Sequence, residues 1–185
     1  MPLSSLCAVT PADVLAFWRE AGPTRWFRKD EAFDAEFRTR FLVAHEATVR
    51  GELDAWTGSA EGSLALLILL DQFPRNSFRG TPRMFESDAK AREVAHLAIA
   101  ASFDTQLEAG LRNFFYLPLM HSEDLADQDR AVELARKLGD DPLRYAILHR
   151  DIIARFGRFP HRNAALGRAT TPEERRFLDD GGFAG

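Results

Sequence analysis

The run from Ser59 to Phe73 constrains the fold more than any other stretch. Its centre, Leu64-Ala65-Leu66-Leu67-Ile68-Leu69-Leu70, is apolar on nearly every side of a helix. A helix without a polar face belongs in the middle of a core, with other elements packed around it. A buried strand is the competing reading of the same run, but leucine dominates and valine is absent, which favours helix. The run is also far short of the ~20 apolar residues that a membrane-spanning helix needs.

The flanking sequence is punctuated as helices. Thr10-Pro11-Ala12-Asp13 combines a capping hydroxyl, a first-turn proline and an acid at the positive end of the helix dipole. That helix runs to about Glu20 and stops at Gly22-Pro23, with Val14, Leu15, Phe17 and Trp18 on one face. Trp26-Phe27 falls in a turn. Asp30 caps a second helix, to about Arg50, whose apolar positions Phe33, Phe37, Phe41, Leu42, Ala44 and Val49 recur in steps of three and four. Gly51 ends or kinks it. Ser87-Asp88 caps an alanine-rich helix to about Ser102. Leu107 to Leu119 is apolar and aromatic up to Pro118, where the chain is expected to turn or kink. Ser122 reads as the cap of a helix using Leu125, Ala131, Val132, Leu134, Ala135 and Leu138 and ending at Gly139. Pro142 opens the next, with Tyr145, Ile147, Leu148, Ile152, Ile153 and Phe156 inward and Gly157 as its C-cap. Thr171-Pro172-Glu173-Glu174 is a capping box that starts a last short helix ending at Gly181-Gly182. The expectation is an all-α chain of about eight helices, stacked as αα-hairpins in one domain over residues 1–185, without strict sequence repeats.

Length and composition agree with a globular chain: 185 residues, 45% hydrophobic and 28% charged. The formal net charge is −4 and basic residues are interspersed, which argues against nucleic acid as a partner. Cys7 is the single cysteine, so no intramolecular disulfide can form. Together with the absence of a signal-peptide pattern, this gives a cytoplasmic expectation, with no membrane partner.

Two polar knots interrupt the helices. The first is Gln72-Phe73-Pro74-Arg75-Asn76 with Phe78-Arg79-Gly80-Thr81-Pro82-Arg83. The second is Phe156-Gly157-Arg158-Phe159-Pro160-His161-Arg162-Asn163, running on to Gly167-Arg168. Both carry Phe-Pro, then arginine directly before asparagine, then glycine and a further arginine.

The chain resembles the bacterial family catalogued as domain of unknown function 924. The resemblance rests on Val14-Leu15-Phe17-Trp18, Trp26-Phe27, Leu70 to Asn76, Arg79-Gly80-Thr81-Pro82, Phe114 to Glu123, Arg155 to Asn163, and the closing Thr171-Pro172-Glu173-Glu174 with Phe177-Leu178. It implies a compact, tetratricopeptide-like all-α fold. It implies no activity and hands over no catalytic residues.

Two readings of the knots stand side by side. In one, the arginines cap helix ends and pair with Asp71, Asp88, Glu123 and Glu173, locking the loops. In the other, they grip a carboxylate or phosphate through bidentate forks. The second reading gives a small-molecule site, with or without chemistry, made of Arg75, Asn76, Arg79, His121, Glu123, Arg158, His161, Arg162 and Asn163. Its competitor is a helical scaffold that binds a partner protein through a groove. No cofactor or metal is expected. A His121/Glu123 pair with His149 or His161 is the sole metal-like pattern, and a zinc deaminase would need a cysteine pair that is absent. Asp71-Gln72, at the end of the most buried helix, calls for a cationic partner such as Arg75 or Arg162.

Overall fold

The computed structural model describes residues 9–184, so Cys7 lies outside the described residues. Every regular element among them is helical. The α-helices are α1 (Pro11–Ala21), α2 (Pro23–Trp26), α3 (Glu31–Val49), α4 (Ala60–Leu67), α5 (Phe73–Ser77), α6 (Asp88–Ala100), α7 (Asn113–Met120), α8 (Leu125–Ala135), α9 (Asp140–Phe156) and α10 (Pro172–Asp179). Because α4 and α5 form one rod and α2 is a single turn, about eight helices of ordinary length remain, as the sequence indicates.

The rod α4–α5 is the axis of the core. Leu64 to Leu70 are all buried, and α1, α6 and α7 pack against α4 while α3 packs against α5. Each such leucine contributes about 1.5–3 kcal/mol by leaving water, which is why so apolar a helix can exist only with neighbours on every side. Gly62 lets the start of the rod pass the preceding turn, since a Cβ there would collide with the Trp56 carbonyl oxygen.

The rod is not uniform. Ile68–Gln72 is a π-helical turn, in which the Phe73 N–H reaches back to the Ile68 carbonyl. Pro74 follows and has no N–H to give. The carbonyls left over are taken by side chains from outside the ladder. His45 Nδ1 donates to Leu69 O at 2.8 Å, Ser87 Oγ to Leu70 O at 2.6 Å, and Arg75 Nη1 to Asp71 O at 2.9 Å. Insertions of this kind collect at functional sites, and this one sets Asp71 and Gln72 in the interior.

Capping follows the sequence closely at both ends of the chain. Thr10 and Thr171 form full capping boxes with Asp13 and Glu174, Asp30 caps α3, and Gly157 ends α9 in the left-handed region at φ 67°. Four details differ. Trp26 ends a helical turn, α2, because Pro23 supplies a first-turn residue. Ser87 does not cap α6, since its hydroxyl is spent on Leu70 O. Ser122 does not cap α8; Asp124 does, while Ser122 Oγ accepts from Asp124 N–H and from Arg92. Helix α7 continues through Pro118 to Met120.

Helix α9 also turns its faces differently from the reading of its apolar residues. Ala146, His149, Ile152 and Ile153 face inward, while Tyr145, Ile147 and Leu148 are exposed at 46%, 43% and 38%. Its neighbours, α8, α7 and the small cluster around Phe159, cover only one side of the helix, so a histidine takes an inner place while three apolar residues stay outside. Val49 and Leu125, also read as inward, are 41% exposed. No described helix is long and apolar enough to cross a membrane.

A second, small apolar cluster lies around Ile152, Ile153 and Phe159, with Phe156, Phe177 and Phe183 packed on it. The polar cluster described next touches both cores: Asp71 belongs to the rod and Phe159 to the small cluster.

Candidate functional site

The two knots meet at Asp88, the first residue of α6. Arg75 from the first knot holds its carboxylate with both ends of the guanidinium, at 2.8 and 3.1 Å, and Arg162 from the second adds a contact at 3.2 Å. Arg162 also donates to the His121 carbonyl at 2.8 Å. Its guanidinium is sandwiched between the rings of Phe85 and Phe159, with its carbon 4.6 Å from each centroid. Such stacking suits arginine and fixes the plane of its donors. Burial lowers the Arg162 pKa to about 10, against the pull of Asp88. Arg162 Nε is buried with no hydrogen-bond partner among the described residues.

Asp71 is the second focus. Its carboxylate accepts from Gln72 Nε2 at 2.6 Å and His121 Nδ1 at 2.7 Å, and pairs with Arg75 Nη1 at 3.0 Å. Burial alone would push the carboxyl up, but Arg75, then His121 and Gln72, hold it well below the usual carboxylate range. A carboxylate can only accept, so His121 Nδ1 carries the proton and Nε2 is a bare lone pair. Burial and the neighbouring Arg75 lower the His121 pKa against the pull of Asp71, which keeps the ring neutral near pH 7.

Two more imidazoles gather around His121. The His149 ring lies 6.3 Å from it, and its Nδ1 donates to Tyr145 O at 2.8 Å, so its Nε2 is bare too. His161 Nδ1 is buried without a partner among the described residues. Burial, then repulsion from His121 once that ring is protonated, depresses His149 to about 4. Burial, then Arg162 and His149, depresses His161 to about 3. Phe159 packs on both rings, at 5.6 and 5.5 Å.

The remaining candidates are drawn into separate ion pairs. Arg79 and Asn76 both serve Asp34 of α3, at 3.0 and 2.7 Å. Glu123 accepts the Phe159 N–H at 2.8 Å and a two-pronged contact from Arg168 at 2.7 and 3.0 Å. Arg158 grips Glu174 at 2.6 and 2.9 Å, and Asn163 donates to Glu174 at 3.2 Å. Asp88 and Glu123 thus hold arginines of the second knot as expected, and Glu174 takes the place expected of Glu173. Glu174 stands at the capping-box position, which turns its side chain back toward Thr171, whereas Glu173 points outward to Arg155 at 3.0 Å. Arg158 first, with the Thr171 N–H, holds Glu174 well below the usual carboxylate range.

Of the nine expected site residues, Arg75, His121, His161 and Arg162 thus share one cluster, joined by Asp71, Asp88 and His149. Asn76, Arg79, Glu123, Arg158 and Asn163 brace the loops around it. Phe85 and Phe159, read from sequence as core aromatics able to line a pocket, pack on Arg162, whereas Phe183, which packs on His149 and His161, carries no local sign because aromatic residues in loops look alike until packing sorts them. Among the described residues no three His, Cys, Asp or Glu side chains are grouped to hold a metal ion. Surface concavity does not single out the cluster either. One groove runs between α8 and α9 past Asp129, Glu133, Arg136 and Arg150, and another past Arg38, Phe78, Arg79 and Arg83. The cluster is marked instead by two buried nitrogens without hydrogen-bond partners among the described residues, His161 Nδ1 and Arg162 Nε, and an unmade buried hydrogen bond costs about 1–3 kcal/mol.

The family described as "bacterial protein of unknown function (DUF924)" matches residues 14–182. This chain belongs to it. A solved structure, that of the protein of unknown function ATU0120 from Agrobacterium tumefaciens, is 54% identical and superposes with a TM-score of 0.91, over 92% of this chain and 97% of that one. No curated protein matches the chain. The DUF924 match spans both knots, α7 and α10, so every polar residue of the cluster lies inside it, and Phe183 lies just beyond it.

Proposed function

We propose that this DUF924 chain binds a small anion, a carboxylate or phosphate, where its two Phe-Pro loops meet, and that His121 acts on it as an acid–base group. The observation that carries this reading is the pair of buried, unpartnered nitrogens on successive residues, His161 Nδ1 and Arg162 Nε. The charges of Arg75 and Arg162 are balanced by Asp71 and Asp88, so the site does not hold a surplus of positive charge. It offers fixed donors and three neutral imidazoles instead.

That arrangement has a chemical consequence. The bare Nε2 of His121 can take a proton, with Asp71 stabilising the imidazolium, and then donate to an anion. Anion binding is therefore coupled to proton uptake. A base held by a buried carboxylate, beside an arginine that fixes an anionic group, suits proton transfer on the bound molecule.

Titration calorimetry with acetate and inorganic phosphate tests the reading. Affinity should rise as pH falls from about 8 to about 6, by up to about tenfold per pH unit for one proton taken up. Arg162→Met should abolish binding with a small loss of stability, because Asp88 keeps both contacts from Arg75. Arg155→Ala, which removes an exposed pair with Glu173, should bind as wild type does. Binding without pH dependence removes His121 from the reading, and wild-type protein that binds neither probe removes the reading itself.

A further inference from the structure

The C-terminal segment packs a ring against the cluster. After α10 the chain passes Gly181, at φ 81°, and Gly182, whose N–H donates to Phe177 O at 2.9 Å. Phe183 then lays its ring 4.6 Å from the His149 ring, tilted at 59°, and 5.2 Å from the His161 ring, edge-on at 80°. Phe159 packs on the same two imidazoles. The rings of Phe159, His149, Phe183 and His161 thus form a closed cycle in which each touches the next.

Three of the four rings are fixed. His149 is on α9, and Phe159 and His161 sit on the Pro160 turn, whose Phe159 N–H is held by Glu123 and whose Phe159 carbonyl is held by Arg168 at 3.1 Å. Phe183 has no such attachment. Among the described residues the last backbone hydrogen bond before it is that of Gly182, and its ring is held by contacts alone. Gly182 is packed closely on Phe177, where a Cβ would collide with its carbonyl oxygen and ring, so the backbone is anchored up to Gly182 and Phe183 reaches beyond that anchor. The place its ring occupies is bordered by aromatic rings, with the His149 ring tilted at 59° and the His161 ring edge-on at 80° to it. The two residues with unpartnered nitrogens, His161 and Arg162, both pack on the Phe159 ring.

We infer that the ligand is an acid carrying a planar ring, and that Phe183 holds the place of that ring until the ligand displaces it. The inference rests on the anion reading above and narrows it. The carboxylate meets His161 and Arg162, and the ring enters the space between His149 and His161. Flat rings gain offset or edge-on contacts there that a chair-shaped ring of the same size cannot make.

The test compares benzoate, cyclohexanecarboxylate, acetate and phosphate on wild type, Phe183→Ala and Phe183→Leu by calorimetry, with Phe183→Leu preserving apolar bulk if Phe183→Ala folds poorly. Benzoate should bind Phe183→Ala about tenfold tighter than wild type, the equivalent of releasing one aromatic contact. It should also outbind cyclohexanecarboxylate and acetate there, and Phe183→Leu should fall between the two. If acetate and phosphate bind and are lost in Arg162→Met, yet benzoate gains nothing from either Phe183 variant, the planar-ring inference is overturned while the anion reading stands. If none of the four acids binds any of the three proteins, both are overturned.

Discussion

Asp71→Asn is the sharpest perturbation of the lock that holds the two loops. The carboxylate is 2% exposed and serves Arg75, His121 and Gln72 together. Asparagine keeps the shape but has one acceptor oxygen, and its amide faces the Gln72 amide donor-to-donor. Breaking a buried ion pair from one side costs about 3–5 kcal/mol. Arg75 retains both contacts to Asp88, so the lower end, about 3 kcal/mol, applies. For a chain of this length each kcal/mol shifts the melting point by about 2–4 °C, so the loss should be about 6–12 °C at neutral pH. The pH dependence has a definite sign. The folded carboxyl titrates well below its ordinary value of 3.8, so its contribution is complete above that value and fades as pH falls through it. Thermal unfolding followed by circular dichroism, on both proteins between about pH 8 and about pH 3, reads this directly. The gap between the curves should stay constant down to about pH 5 and then shrink. A variant that melts within about 2 °C of wild type at pH 7 would refute the idea that this carboxylate locks the loops.

The histidines give a second pH signature in a higher window. His149 and His161 ordinarily titrate at 6.5 and are held at about 4 and about 3 when folded, so below pH 6.5 the unfolded chain takes up protons that the native one refuses. Stability should fall by about 1.4 kcal/mol per pH unit for each of them, and His149→Gln should flatten that slope; an unchanged slope would mean that the ring is not the buried neutral group described. Gly62→Ala should destabilise in spite of alanine's better helix propensity, because the new methyl meets the Trp56 carbonyl; a melting point at or above that of wild type would refute this.

Much of the molecule can be read without coordinates, because the relevant interactions are local. Capping boxes at Thr10 and Thr171, the cap at Asp30 and the left-handed stop at Gly157 each depend on residues within four positions of one another. The burial of Leu64 to Leu70 needs no knowledge of which helices cover it. The meeting of the two knots is not local: the first runs through the π turn and α5, the second follows the end of α9, and they meet on Asp88 of a third helix.

Local pattern does not say which acid takes which arginine. Arg79 and Arg162 look equivalent in sequence, but one lies beside Asp34 and the other is buried between two phenylalanines on Asp88. Glu173 and Glu174 are adjacent, and one helical step decides which of them is inside. The π turn is equally hidden: it follows from Pro74 lacking a donor, but it persists because His45, Ser87 and Arg75 arrive from three directions to take the freed carbonyls. His149 sits on an inner face because only one side of α9 is covered. Caps and apolar runs are thus settled by the chain's own short-range geometry, whereas the pairing of buried charges depends on which distant segments packing brings within about 3 Å, the range over which a hydrogen bond acts.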